Sequence, residues 1–378
     1  MKFYNFKGER VFTPGPVEIP DRIREALSKQ IIHHRTKEFT EAFLKTRELF
    51  KKLISNPSEN FVFFASSGTG AMEASVQNFF KAGDKVVAVV GGKFGERWAE
   101  LGRCWGLDVI ELSIEWGKSV DPEAVEDVIK KHPDVKGILL QMSESSTGAY
   151  HDVKAIGEIT KNKDILLVVD AITALGVYNI KPYEWGIDVI VGGSQKAFML
   201  PPGLSILWFS EKAERKLNNR AYYFSVKKEV EKQKEGQTAY TPAITLILAL
   251  KEALEIMLEV GIEELERKYS KMAEGVRRAL EELGCKVFPE NPVISLTAAL
   301  PPVGIEADKL RKVLLSMGIR LAGGQGKVKG KIFRISHMGM DYLDMVQAIS
   351  SIELALKELG KKIQFGKGVG TYLNVIYS

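Results

Sequence analysis

The stretch GGSQKAF at residues 192–198 decides how this chain is interpreted, because it directly follows the apolar run IDVIV at residues 187–191. The density of β-branched residues in that run predicts a buried strand. Lys196 then lies in a turn at the carboxyl end of the strand, where open α/β sheets place their ligands. A lysine in this position is a candidate nucleophile. It is also one of 53 lysines and arginines, and most residues of these types are solvated surface charges.

Six further segments resemble the run before Lys196 and alternate with helical segments. Most of them are rich in Val, Ile and Leu and have no polar face, which is typical of strands that crossover helices bury on both sides. They are residues 61–65, 85–90, 108–112, 137–142, 165–170 and 204–209. We therefore predict an α/β protein whose large domain contains a mostly parallel seven-stranded sheet.

The order of the segments predicts two domains and two terminal extensions. Residues 1–20 form a proline-containing N-terminal arm, and residues 21–264 form the large domain, which includes the first part of a long helix expected over 242–283. Later segments mix short strands and helices, so we expect a smaller C-terminal α+β domain over 265–360. For the tail at 361–378 we expect an added edge strand.

Composition limits the functions that this chain can have. In 378 residues the net charge is only +5, and the basic residues are interleaved with acidic ones, which is not typical of a nucleic-acid-binding surface. The apolar runs are too short to span a membrane, and the N-terminus lacks the apolar segment of a signal peptide. Cys104 and Cys285 lie far apart, without metal or redox spacing. We therefore expect a cytoplasmic protein with two free, buried thiols and no metal.

Two other predicted strands end in residues that can bind ligands. Ser67, Gly68 and Thr69 precede a helix, and the first N–H groups of a helix are free to bind a phosphate. Asp170 ends a buried strand, where an unpaired carboxylate would become neutral. The partner of Asp170 is either the backbone N–H groups at the start of the next helix or a protonated heterocyclic nitrogen.

Two more loops are expected at the same edge of the sheet. One carries the hydroxyls of ESSTG at 144–148, and the other carries Phe94 among glycines. A phosphate cradle, an acid for a ring nitrogen, an aromatic ring to stack and a lysine for an aldehyde are together what pyridoxal 5'-phosphate requires. Lys196 would hold the aldehyde and carry the proton at the substrate Cα, while Asp170 would keep the ring nitrogen protonated. We therefore predict pyridoxal phosphate as the cofactor.

The chain resembles the class V aminotransferases, specifically their alanine–glyoxylate and serine–pyruvate branch. The motifs that carry the resemblance occur in the family's order between about residues 11 and 360. They are PGP (14–16), SGT (67–69), ESSTG (144–148), LVVD (167–170), GSQKA (193–197), PPG (201–203) and FRI (333–335). The resemblance implies the fold-type-I architecture of pyridoxal-phosphate-dependent transferases. It also implies a homodimer with the active site at the subunit interface.

The resemblance also implies a role for each matching residue. Lys196 and Asp170 become the catalytic residues, and Arg334 becomes the ligand of the substrate carboxylate, assisted by the backbone near Gly15. Phe94 is expected on the ring face and Ser145 near the phenolic oxygen of the ring. The phosphate is expected to be bound by Ser67, Gly68, Thr69 and Gln195, and by Thr241 of the neighbouring subunit, although residues 237–242 fit the family's spacing poorly.

The function implied is transfer of the amino group of alanine or serine to glyoxylate or pyruvate in a ping-pong cycle. One alternative is phosphoserine transamination, because Arg35 and its neighbours resemble an element that receives a substrate phosphate. An aspartate-using transaminase, a cysteine desulfurase and a non-catalytic cofactor-binding subunit are further alternatives. The Gly-rich residues 323–327 are either an anion cradle or a hairpin that presents Arg334.

Overall fold

A computed structural model describes residues 8–378 of the chain. Residues 1–7 of the predicted N-terminal arm lie outside the described residues. The β-strands of the described part are, in chain order, β1 (Arg10–Val11), β2 (Phe61–Phe64), β3 (Lys85–Val90), β4 (Asp108–Ser113), β5 (Val135–Gln141), β6 (Ser143–Glu144), β7 (Ala149–Tyr150), β8 (Leu166–Asp170), β9 (Val189–Gly193), β10 (Ser205–Phe209), β11 (Lys286–Val287), β12 (Leu296–Leu300), β13 (Ile319–Arg320), β14 (Ala322–Gly323) and β15 (Phe333–Ser336).

The helices connect these strands and cover the sheets. In chain order, the α-helices of residues 8–378 are α1 (Asp21–Ser28), α2 (Lys37–Leu53), α3 (Gly68–Phe79), α4 (Lys93–Cys104), α5 (Pro122–Lys131), α6 (Val153–Thr160), α7 (Glu211–Glu214), α8 (Val226–Lys234), α9 (Ile244–Val260), α10 (Ile262–Glu282), α11 (Ala307–Ser316), α12 (Tyr342–Glu358) and α13 (Lys367–Tyr377). None of them combines the length and the apolar character that crossing a bilayer requires, within the described part of the chain.

The large sheet has seven strands in the order β2-β10-β9-β8-β5-β3-β4, which confirms the prediction. The five strands from β9 to β4 are parallel, whereas β10 is antiparallel to both of its neighbours, β9 and β2. Each predicted strand matches an observed one to within about two residues at either end. Because the central strands are parallel, the loops after β3, β5, β8 and β9 lie at one edge of the sheet.

The sheet separates two apolar cores. In β2, Phe61 and Phe63 belong to the core on one face, and Val62 and Phe64 to the core on the other. All residues of β2 and β8 are buried. Burial on both faces explains why these strands are apolar throughout and show no alternation of polar and apolar residues.

A second, four-stranded sheet has the antiparallel order β11-β12-β15-β14 and packs against α10, α11 and α12. The predicted domain boundary near residue 265 falls inside α10. Leu265 and Tyr269 of this helix belong to a core of the large sheet, and Met272 and Val276 to the core of the second sheet. The division at 265 stays a prediction.

Three expectations about local structure were wrong. The tail forms helix α13 instead of an edge strand, because Tyr372 is buried and packs against α10 at Gly275. The helix expected over 242–283 is interrupted at Gly261, whose φ of 89° is outside the helical range. Cys104 at the end of α4 is exposed, whereas Cys285 is buried as expected.

Candidate active site

Lys196 lies in the turn after β9 and points toward the N-terminal segment. Its Nζ donates a hydrogen bond of 2.5 Å to the backbone oxygen of Pro14. Burial lowers the pKa of the Lys196 amine to about 8; the charges of Arg334 and Arg97 act in the same direction and Asp170 opposes them. A substantial fraction of this amine is therefore neutral near pH 8, as a base that accepts a proton must be.

Gly15 forms the cover over Lys196. Its φ is 121°, and a Cβ added there would lie 2.3 Å from the Nζ of Lys196. The backbone N–H of Val17 also donates to the carbonyl of Gln195, at 3.3 Å. Only glycine allows the backbone to approach the lysine this closely, so the PGP motif covers the site directly.

Asp170 ends β8, next to β9 in the sheet, where it pairs in register with Val191. The residue is 5% exposed, and its Oδ1 accepts a hydrogen bond of 2.8 Å from the backbone N–H of Ile172. Burial raises the pKa of the Asp170 carboxyl to about 7, and the charge of Glu144 adds to this effect. No cation of residues 8–378 forms an ion pair with Asp170, so its second oxygen is available to a ligand.

The first turn of α3 contains the residues predicted to form a phosphate cradle. Within the described part of the chain, the backbone N–H groups of Gly68 and Thr69 have no acceptor. The Oε1 of Gln195 is buried and has no hydrogen-bond partner among residues 8–378. A Cβ added to Gly193 would lie 3.1 Å from that atom and 3.5 Å from the nitrogen of Gly68. A 180° rotation of the Gln195 amide would place its NH₂ group next to Gly193 and Gly68 instead of the oxygen. Unsatisfied donors around a cleft lined by glycine fit an anion.

Phe94 lies in the first turn of α4 and not on a flexible loop, contrary to expectation. The carboxylate of Glu144 holds this turn in place. Its Oε2 accepts hydrogen bonds from the backbone N–H groups of Phe94 (3.1 Å) and Gly95 (3.0 Å), and its Oε1 accepts from the hydroxyl of Ser146 at 2.5 Å. Burial raises the pKa of the Glu144 carboxyl, and these hydrogen bonds oppose that rise.

Glu144 was not among the predicted site residues, although it belongs to the quoted ESSTG motif. The available signal was a carboxylate at the end of a buried strand, where it requires several donors. Arg97 was missed as well. It lies one turn after Phe94 on α4, and its Nη1 donates to the Oγ1 of Thr69 at 3.1 Å.

Arg334 projects from β15, in the second sheet, toward the ESSTG segment. It is 6% exposed, and its guanidinium donates to two backbone oxygens, from Nε to Gly323 at 2.9 Å and from Nη1 to Ser145 at 2.5 Å. Burial lowers the pKa of Arg334 to about 10, so it remains charged at neutral pH. No carboxylate of residues 8–378 forms an ion pair with it.

Two predicted residues do not contact Lys196 within the described part of the chain. Arg35 is exposed and donates from Nη1 to the Oε1 of Gln237 at 2.8 Å and to the carbonyl of Thr238 at 3.4 Å. Thr241 is exposed on the same segment. The described residues of one chain therefore bring Arg35 and Thr241 near each other but not into contact with Lys196.

The residues at this edge fit pyridoxal phosphate. The amine of Lys196 is partly neutral, Asp170 has an oxygen without a partner, and the cradle at Gly68 has free donors. Asp170 and Gly68 are buried and Lys196 is half-buried. The aldehyde, ring nitrogen and phosphate of the cofactor are groups that the amine, the carboxyl oxygen and the free N–H donors can each bind.

Comparison with known proteins identifies the family. The sequence profile described as aminotransferase class V matches residues 23–341. An uncharacterized aminotransferase of Methanocaldococcus jannaschii is 37% identical over 362 residues, which cover 93% of each chain. The serine–glyoxylate aminotransferase of Methylorubrum extorquens is 31% identical, and the match covers 95% of this chain and 94% of the relative.

A solved structure supports the same conclusion. The aspartate aminotransferase of subgroup IV from Thermus thermophilus is 35% identical and superposes with a TM-score of 0.87, over 92% of this chain and 99% of the other. These similarities confirm the predicted fold-type-I architecture and the predicted cofactor. The chain therefore belongs to the class V aminotransferases and is a pyridoxal-phosphate-dependent transaminase.

Proposed function

We propose that this enzyme transfers the amino group of L-alanine or L-serine to glyoxylate or pyruvate in a ping-pong cycle. The proposal rests on the guanidinium of Arg334. This buried cation donates to two backbone oxygens and forms no ion pair with an acidic residue among residues 8–378. A guanidinium fixed in this way binds the two oxygens of a carboxylate at once. Amino acids and 2-oxo acids both carry that carboxylate.

The residues around Lys196 support defined roles in the reaction. Bound pyridoxal phosphate supplies the aldehyde that takes up the amino group and a ring that withdraws electrons from the substrate Cα. Lys196 moves the proton at that Cα, since burial keeps its amine partly neutral. Asp170 holds the proton at the ring nitrogen. Phe94 would pack on the ring face and Ser145 would lie near the phenolic oxygen. Ser67, Gly68, Thr69 and Gln195 would bind the phosphate.

The cover over Lys196 supports a small substrate. The backbone oxygen of Pro14 lies 2.5 Å from the Nζ of Lys196, and Gly15 is in direct contact with the same side chain. A bulky group at the substrate Cα would meet this backbone. Alanine and serine have short side chains that fit beneath it. The relative from M. extorquens is named a serine–glyoxylate aminotransferase, which agrees with serine as the donor. The solved structure from T. thermophilus is named an aspartate aminotransferase, so aspartate remains the alternative donor.

We also propose a homodimer in which Thr241 reaches the phosphate of the neighbouring subunit. Exposed aromatic residues near Thr241 support this arrangement, since Tyr222 is 75% and Tyr223 44% exposed in a single chain. Tyr240 lies between them, with ring centroids 5.8 Å and 5.3 Å away. Rings of this size are typical of buried interfaces. The free thiols of Cys104 and Cys285 support a cytoplasmic location.

Arg334→Lys is expected to raise the KM for L-alanine and L-serine by about 10- to 100-fold, because an ammonium group cannot bind both carboxylate oxygens in the fixed geometry of a guanidinium. Steady-state kinetics with each donor measure this change. Arg320→Lys is the matched control, because Arg320 pairs with Glu9 on the surface and should leave KM unchanged. An unchanged KM in Arg334→Lys would remove Arg334 from the substrate site.

Arg35→Ala distinguishes the proposal from phosphoserine transamination. Among the described residues, the guanidinium of Arg35 donates hydrogen bonds to Gln237 and Thr238. We therefore expect kcat/KM for L-alanine and L-serine to change by less than about 3-fold, the range typical of surface substitutions. A loss confined to O-phospho-L-serine, measured in the same assay, would support the rival function.

A further inference from the structure

Arg97 lies between two parts of the proposed cofactor site. Its Nη1 donates to the Oγ1 of Thr69, in the phosphate cradle, at 3.1 Å. Its Cζ lies 4.9 Å from the centroid of the Phe94 ring, close enough for a cation–π interaction. One guanidinium therefore contacts both the helix that is proposed to bind the phosphate and the ring that is proposed to stack on the pyridine.

Arg97 forms no ion pair within residues 8–378. No carboxylate there pairs with it, although Lys93, one turn earlier on α4, pairs with Glu96 at 2.7 Å. Arg97 is half-buried and lies beside the N-terminus of α3, which itself carries a partial positive charge. The charge of Arg97 acts to lower the pKa of the Lys196 amine and also that of the Asp170 carboxyl, so both groups lie within its electrostatic range. An anion bound at the start of α3 would be stabilised both by Arg97 and by the helix N-terminus.

The residues assigned to the phosphate are all neutral: Ser67, Gly68, Thr69, Gln195 and Thr241. A phosphate monoester carries close to two negative charges at neutral pH, and a cation is its strongest ligand. Arg97 is the cation in contact with this group. We propose that Arg97 is a further cofactor-binding residue, which directs the Thr69 hydroxyl at the phosphate monoester and supplies the positive charge that the other ligands lack.

The direction of the Thr69 hydrogen bond supports this role. Because the Thr69 oxygen accepts from Arg97, its own O–H is free to donate to an anion. The stacking of Arg97 on Phe94 fixes the guanidinium plane, so the charge stays beside the cradle. The inference rests on the proposed cofactor site, and its test is designed to separate the two.

The test compares pyridoxal 5'-phosphate with pyridoxal, which lacks the phosphate, on the full-length protein freed of cofactor. We expect Arg97→Gln to weaken the affinity for pyridoxal 5'-phosphate by about 10- to 100-fold and the affinity for pyridoxal by less than about 3-fold. Arg97→Lys, which keeps the charge, should lose less than Arg97→Gln. Titrations followed by tryptophan fluorescence and by the visible absorption of the bound cofactor measure both constants.

Arg103→Gln is the matched control, since Arg103 lies on the same helix, is exposed and pairs with Glu111. It should bind both compounds like the parent protein. Equal losses of affinity for the two compounds in Arg97→Gln would show that Arg97 acts only through the ring or the fold, and no loss would also overturn the proposal. If the parent protein itself bound pyridoxal 5'-phosphate no tighter than pyridoxal, the cofactor site as assigned would be wrong.

Discussion

Lys196→Ala is expected to lower the turnover of L-alanine and L-serine by about 10²- to 10⁴-fold, the range that a positioned proton-transfer group contributes. The reason is that the Lys196 amine is the group placed to move the proton at the substrate Cα. Its pKa of about 8 leaves it partly neutral at the pH of the assay. Single-turnover measurements with saturating donor report this step directly.

Two controls make the Lys196 result specific. Lys154→Ala removes an exposed lysine on α6 and should leave turnover unchanged. Adding a small primary amine such as ethylamine to Lys196→Ala should restore part of the activity, because the amine can occupy the space of the deleted side chain and accept the proton. Wild-type turnover in Lys196→Ala without added amine would show that another group performs the transfer.

Asp170→Asn is expected to lower turnover by about 10²- to 10³-fold, the loss typical of removing one preorganised electrostatic contact. The amide is close in size to the carboxylate, so the buried site at the end of β8 is not emptied. An amide has no negative charge, however, and cannot hold a proton at the ring nitrogen as the Asp170 carboxylate does. Asp127→Asn, an exposed carboxylate on α5, is the control and should have wild-type turnover.

The same substitution is expected to stabilise the cofactor-free protein at alkaline pH. Burial raises the pKa of Asp170 from 3.8 to about 7, so the folded state binds more protons than the unfolded state between these values. Stability from this group therefore falls as pH rises through that window, and the full penalty is present above about pH 7. Asp170→Asn removes the penalty, which we estimate at about 1–4 kcal/mol.

Denaturant unfolding of the cofactor-free protein at about pH 5 and about pH 8 measures this effect. The stability gain of Asp170→Asn over the parent should be larger at the higher pH. Lower stability than the parent at both values would mean that the carboxylate is needed for folding and that its activity loss is not a cofactor effect. Gain of stability together with loss of turnover is the combination that a functional carboxylate predicts.

The convergence of Lys196, Asp170 and the ESSTG segment was predictable because it follows from sheet geometry. Parallel strands end at the same edge, and the observed register pairs Gln141 with Asp170 and Asp170 with Val191. Strong apolar runs predicted each of these strands to within about two residues. Residues that immediately follow such strands are therefore placed by the pattern alone, without knowledge of the packing.

Glu144 and Arg97 show where prediction from the sequence stopped. Both act through contacts with residues distant in sequence, Glu144 with the start of α4 and Arg97 with Thr69. No spacing rule relates these positions, since the contacts depend on how α3 and α4 pack beside the sheet. Arg35 was predicted from a motif, and its place in the site stays a prediction, because one chain shows it exposed and donating to Gln237.

The tail shows how packing overrides local preference. Residues 361–378 contain Gly, Tyr, Val and Ile, which disfavour a helix or favour a strand. The observed helix α13 is stabilised by Tyr372, which is fully buried, packs where a Cβ at Gly275 would clash, and donates its hydroxyl to the backbone oxygen of Tyr342 at 3.1 Å. The packing of α13 against α10 and α12 makes the helical conformation of the tail favourable.

A half-reaction shows whether this enzyme removes the amino group of L-alanine or L-serine. Full-length enzyme loaded with pyridoxal 5'-phosphate is mixed with L-alanine or L-serine in the absence of any acceptor, and its absorption spectrum is followed. We expect the visible band of the cofactor to be lost, one equivalent of the corresponding 2-oxo acid to appear per site, and glyoxylate to restore the band. An unchanged spectrum with L-alanine, L-serine and every other amino acid of a panel would contradict this expectation.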